Sequence, residues 1–124
     1  STYGGNPLAC AVAEAALDTI NTPEVLNGVK EREAIFKAKL EEINNNYNVF
    51  KDIRGQGMLV GAELTDAFEG RAKEFVNAAL EHGTMILVAG ANVIRFTPSL
   101  IVPLKDIDQG MAQFEQAVAS IVNA

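Results

Sequence analysis

Four short stretches of this chain carry residue types that can do chemistry, and each has a plain structural explanation beside the chemical one. The first is Ser1-Thr2, followed by Gly4-Gly5. Hydroxyls and small residues ahead of a helix start leave donors free for an anion such as phosphate; a polar leader has the same composition. The second is Arg95, within Val93-Ile94-Arg95-Phe96-Thr97. Strand alternation puts Ile94 and Phe96 on one face and Val93, Arg95 and Thr97 on the other. A guanidinium among apolar strand neighbours suits a carboxylate or phosphate gripped through two N–H groups at once. An arginine on the wet side of a half-exposed sheet is the alternative. The third, Arg54-Gly55-Gln56-Gly57, lacks the Lys-Ser/Thr end of a phosphate loop and reads as a tight strand connection. The fourth, His82 before Gly83, reads as a helix-end residue set against the helix dipole. No spacing pairs a nucleophile with a base or one carboxylate with another.

Composition narrows the classes. The 124 residues suffice for one small domain with its own core, and 48% apolar with 21% charged residues is ordinary for a globular domain. Sixteen acidic residues against ten basic ones give a net charge of -6, which argues against nucleic acid or an anionic membrane surface as partner. No apolar run approaches the ~20 residues of a spanning helix. Cys10 is the single cysteine and His82 the single histidine, so the chain offers no metal-ligand cluster, and the lone thiol fits a reducing cytoplasm.

The positioning elements follow from pattern. Asn6-Pro7 is a helix start, with an acceptor followed by a proline that fits the first turn. The helix it opens, to Ile20, is alanine-rich and apolar on most sides, as in a helix packed within a larger body. Together with the leader this suggests that something precedes Ser1. Thr22-Pro23 opens a longer helix, expected to stop near Asn44 at the asparagine run. Strands are expected over Val49–Arg54 and Met58–Leu64, then a helix over Arg71–His82 with Phe75, Val76, Ala79 and Leu80 on one face. Two more strands follow, at Met85–Ala89 and Asn92–Thr97. Leu104, Ile107, Met111, Phe114, Val118 and Ile121 then keep a helical stripe. The expected class is α+β, a small, mostly antiparallel sheet covered by helices.

Taken together, the motifs resemble one family. Ser1–Cys10 (Ser-Thr-Tyr-Gly-Gly-Asn-Pro-Leu-Ala-Cys) is similar to the segment that follows the cofactor lysine in class III aminotransferases, which use pyridoxal 5'-phosphate and have fold type I. Ile53–Leu64 resembles the family's Arg-Gly-x-Gly strand pair, and Val88–Leu100 its Arg-Phe-x-Pro segment. The phrase Ile20–Leu26 points to the acetylornithine and succinylornithine branch. The resemblance covers essentially the whole chain. It implies that residues 1–22 end a large cofactor domain and that residues 23–124 form the C-terminal small domain with its linking helix. It also implies a homodimer whose active sites lie between subunits. Thr2 would then bind the cofactor phosphate of the neighbouring subunit, Ser1 would lie against the acylated substrate, and Arg95 would hold a substrate carboxylate.

The implied activity is amino-group exchange between N-acetylornithine and 2-oxoglutarate in arginine biosynthesis, with succinyl-diaminopimelate in lysine biosynthesis as an extension. In the family the Schiff-base lysine and the acid facing the pyridine nitrogen lie upstream of the segment matching Ser1. None of the six lysines here (Lys30, Lys37, Lys39, Lys51, Lys73, Lys105) stands in a matching context, so this stretch alone is expected to be inert. Two rivals remain: a succinylornithine transaminase of arginine breakdown, and a free-standing α+β module that binds an acidic ligand through Arg95.

Overall fold

The computed structural model describes residues 2–123. The expectation for Ser1 therefore lies outside the described residues. A first helix, α1 (Pro7–Ile20), starts as its sequence requires: the Asn6 side chain accepts the Ala9 N–H at 2.9 Å, and Pro7 occupies the first turn. No residue of α1 is buried, and Leu8, Val12 and Leu17 are all more than half exposed.

Helix α2 (Pro23–Tyr47) is opened by the Thr22 hydroxyl, which accepts the Val25 N–H at 3.3 Å. It runs three residues past the expected stop. The Asn44 side chain is the reason, because it braces the next strand: its amide donates to the Phe50 carbonyl at 2.9 Å, and its oxygen accepts the Phe50 N–H at 2.7 Å. The left-handed residue that ends the helix is instead Asn48, at φ 52°. Phe36, Leu40 and Ile43 form the buried stripe, while Val25 and Val29 are only half-buried.

Strands β1 (Phe50–Gln56) and β2 (Leu59–Leu64) form a hairpin in which Gln56 pairs with Leu59, leaving Gly57-Met58 as a two-residue turn. The expected break at Gly55-Gln56-Gly57 is thus mostly strand. Gly57 takes φ +60°, and a side chain at Gly55 would meet the Leu59 carbonyl at 2.2 Å, so both glycines are required by the backbone. A single 3-10 turn at Asp66–Phe68, not foreseen, leads to α3 (Ala72–Glu81). There Ala72, Phe75 and Ala79 are buried. Leu80, assigned to the same face by spacing, is 64% exposed, because the buried arc is narrow.

The third and fourth strands are β3 (Leu87–Val88), much shorter than expected, and β4 (Val93–Phe96). All pairings are antiparallel, in the order β1-β2-β4-β3. The closing helix, α4 (Leu104–Val122), buries Ile107, Met111, Phe114, Ala117 and Val118. The α+β expectation therefore holds. Helices α2, α3 and α4 cover the sheet face that carries Val60, Ala62, Leu64, Ile94 and Phe96. Phe96 sits edge-on to both Phe36 and Phe114, with ring centres 5.3 and 5.2 Å apart. Burying each such side chain contributes about 1.5–3 kcal/mol. This cluster locks β4 with Phe96 inward, and alternation then turns Arg95 to the opposite face.

Candidate functional site

Arg95 is held at the middle of β4, paired with Gly61 of β2 on one side and Leu87 of β3 on the other. It is half-buried, and its Nε is buried without a hydrogen-bond partner. Among the described residues only Thr65 Oγ1 shares that condition. An orphaned buried donor costs free energy, and one on a permanently charged group costs more, so the position calls for an anion. Hydrophobic packing fixes the backbone of Arg95, and no carboxylate among the described residues neutralises its side chain.

Two depressions meet at Arg95. One, of about 570 Å³, lies open on the uncovered face and is floored by Gly61, Val93 and Ala89, with Arg54 at its far side. The other, of about 320 Å³, runs between β4 and α4 past Thr97, Pro98, Asp106 and Met111. Both are mostly apolar, which strengthens the field of a single cation within them.

Arg54 shows the opposite state. Its guanidinium Nη1 meets Asp52 at 2.5 Å and Glu63 at 2.7 Å, so its charge is spent locally. Glu63 is shared with Lys51 at 3.2 Å, and Lys51 also reaches Asp66 at 3.4 Å. Arg54 first and Lys51 second hold the Glu63 carboxyl below the ordinary carboxylate range. The reading of the Arg54 segment as a strand connection agrees with this, and the segment is no phosphate loop.

Thr2 lies in an exposed turn over residues 2–5, and its hydroxyl makes no hydrogen bond among the described residues. The helix behind it offers an anion little help. Pro7 has no N–H, and the Ala9 N–H is already taken by Asn6. The Leu8 N–H alone stays without a partner among the described residues, so any phosphate grip at this end rests on the Thr2 hydroxyl, the turn and that single amide. Thr2 lines neither depression beside Arg95, so the two candidates are not brought together within one chain. No lysine lines either depression; Lys37, Lys39 and Lys51 are paired with Glu33, Asp108 and Glu63. Among the described residues no group of His, Cys, Asp or Glu could hold a metal ion, and no helix is long and apolar enough to cross a membrane.

The profile of the family described as aminotransferase class-III matches residues 1–118. The chain belongs to the class-III aminotransferases. Relatives agree. The Yersinia pestis acetylornithine/succinyldiaminopimelate aminotransferase is 60% identical over 98% of this chain and 30% of its own length. An acetylornithine aminotransferase of Shewanella oneidensis is 56% identical over all of this chain and 31% of its own length. The crystal structure of N-acetylornithine aminotransferase from Stenotrophomonas maltophilia K279a superposes with a TM-score of 0.90 at 33% identity, covering 97% of this chain and 33% of that one. The chain thus spans about a third of the length of the aminotransferases it matches. Class-III aminotransferases and the acetylornithine enzymes among them depend on pyridoxal phosphate. The residues present fit part of such a centre: among the described residues the Thr2 hydroxyl and the buried Arg95 Nε have no hydrogen-bond partner, and donors of these kinds suit phosphate and carboxylate oxygens.

Sequence reasoning missed Gly61, which lies directly between Arg54 and Arg95, and the Glu33 carboxylate, which accepts the Gly57 N–H at 2.7 Å. Strand register alone reveals the first. The second links residues 24 positions apart, and no local pattern carries it.

Proposed function

We propose that the full-length protein exchanges an amino group between N-acetylornithine and 2-oxoglutarate in arginine biosynthesis, and that it also serves succinyl-diaminopimelate in lysine biosynthesis. The observation that carries this reading is the unpaired Arg95 guanidinium in an apolar depression of a class-III aminotransferase chain. Amino acid and oxoacid share the carboxylates that a planar guanidinium grips through two hydrogen bonds. The names of the most similar relatives support the acylated ornithine as donor.

In this reading pyridoxal phosphate supplies the electron sink for amino transfer. Arg95 orients the substrate by its carboxylate, and the Thr2 hydroxyl donates to the cofactor phosphate across a homodimer interface. Ser1 lies against the acyl group of the donor. Residues 1–22 belong to a large cofactor domain and residues 23–124 to a small domain; the exposure of every α1 residue described supports that division. Covalent attachment of the cofactor falls to a lysine in another part of the protein, and the enzyme works in the cytoplasm. Purified full-length protein should form glutamate from 2-oxoglutarate with N-acetylornithine as donor. Turnover with succinylornithine and none with N-acetylornithine would move the function to arginine breakdown. Absence of any transamination by a cofactor-loaded dimer would overturn the reading altogether.

A further inference from the structure

Arg54 of β1, Gly61 of β2, Arg95 of β4 and Leu87 of β3 are successive register partners, so they form one row across the whole sheet. Direct cross-strand partners project to the same face. With strands about 4.8 Å apart, the two arginine backbones stand about 10 Å apart with only a glycine between them. Arg54 is committed to Asp52 and Glu63, whereas Arg95 meets no carboxylate among the described residues.

The backbone does not demand glycine at position 61. Its φ is not positive, unlike those of Gly55 and Gly57. A Cβ there would come 3.3 Å from Val93 Cγ1 and 3.9 Å from the Arg54 carbonyl. A shift of a few tenths of an ångström by Val93 would admit alanine. Glycine inside a strand also weakens it. What the glycine provides is room: a side chain here would enter the open depression that Arg95 also lines.

We propose that Gly61 is a specificity-determining position: its missing side chain keeps open the path by which a carboxylate of the amino-acid or oxoacid substrate reaches Arg95. Arg54 lines the far side of this path. The charge of Arg54 is already met by Asp52 and Glu63, so Arg95 is the cation of the row left for a substrate anion. The inference rests on the reading of Arg95 as a carboxylate ligand, so its test carries an Arg95 arm.

Steady-state kinetics of the full-length holoenzyme with 2-oxoglutarate should be compared for Gly61→Ala, Gly61→Val, the double variant Gly61→Ala/Val93→Ala, and Arg95→Lys. Gly61→Ala should raise KM several-fold and Gly61→Val about tenfold or more, with kcat changed less than KM. Removing the Val93 methyls in the double variant relieves the close contact yet leaves the Cβ in the floor, so KM should stay raised while the melting temperature recovers. If the double variant instead regains the wild-type KM, Gly61 serves packing against Val93 and the proposal falls. Wild-type KM in all Gly61 variants, with a raised KM in Arg95→Lys, overturns the role of Gly61 alone. Wild-type KM in Arg95→Lys as well overturns the carboxylate reading beneath it. Should Gly61→Val fail to fold, the alanine variant and the double variant decide the question.

Discussion

Glu33 of α2 holds the β1–β2 turn by accepting the Gly57 N–H at 2.7 Å, while its other oxygen meets Lys37 at 2.8 Å. Lys37 in turn donates to the Gly55 carbonyl at 2.8 Å, so one helical pair clamps both sides of the turn. The hairpin that carries Arg54 and Gly61 is thereby tied to the long helix. Glu33→Ala removes the acceptor and should lower the melting temperature by roughly a few degrees. Glu33→Gln keeps an oxygen for Gly57 and should lie between. Equal melting curves for all three proteins would show that the turn holds without the clamp.

Arg95→Lys in the full-length enzyme should not behave as a conservative change. Lysine keeps the charge and loses the fork that meets two oxygens at once. A hydrogen bond to a charged group is worth ~1.5–3 kcal/mol, so KM for amino donor and for 2-oxoglutarate should rise about tenfold or more. A fall in kcat accompanies it, because the same contact orients the substrate. Unchanged KM values with a large drop in melting temperature would make Arg95 a structural residue instead.

Thr2→Val should weaken cofactor binding and leave the dimer intact. In the proposed role the hydroxyl would donate to a charged phosphate, a contact worth ~1.5–3 kcal/mol, or roughly tenfold to a hundredfold in affinity. Cofactor titration followed by absorbance reads the change. An unaltered dissociation constant would reduce Thr2 to part of an exposed turn.

The carboxylates of Glu63 and Glu33 should titrate below the usual value of about 4.3. For Glu63 the cause is Arg54 and then Lys51; for Glu33 it is Lys37 and then the Gly57 N–H. A lowered folded-state pKa means stabilisation that is fully present above the unfolded value and is lost as pH falls through the folded one. Between neutrality and pH 5 these two groups should leave stability unchanged, and below that they should contribute to its loss. Carboxyl carbon shifts in an NMR titration would show the order directly, and ordinary midpoints at both residues would refute it.

Much of this was readable in the residues. The alternation through Val93–Phe96 put Arg95 opposite Phe96, and the aromatic contacts of Phe96 with Phe36 and Phe114 show why that face is enforced. The caps at Asn6 and Thr22 were legible because each acts within three residues. The end of α2 was not, since Asn44 is used to brace Phe50 and the left-handed role passes to Asn48. Local composition cannot say which asparagine of a run turns. Likewise, the contrast between a neutralised Arg54 and an unpaired Arg95 depends on which strand lies beside which, and periodicity is silent on that.

Helix α1 has a consequence of another kind. Fourteen residues of helix with no buried side chain lie near the length at which a lone helix is only marginally formed in water. Its order is therefore conditional, and the free energy that keeps it wound must come from whatever surface covers Leu8, Val12 and Leu17. The turn bearing Thr2 precedes that helix directly. On the proposed role of Thr2 as a phosphate ligand, its hydroxyl would be placed by an assembly step, and affinity for the anion would be linked to the association that winds the helix.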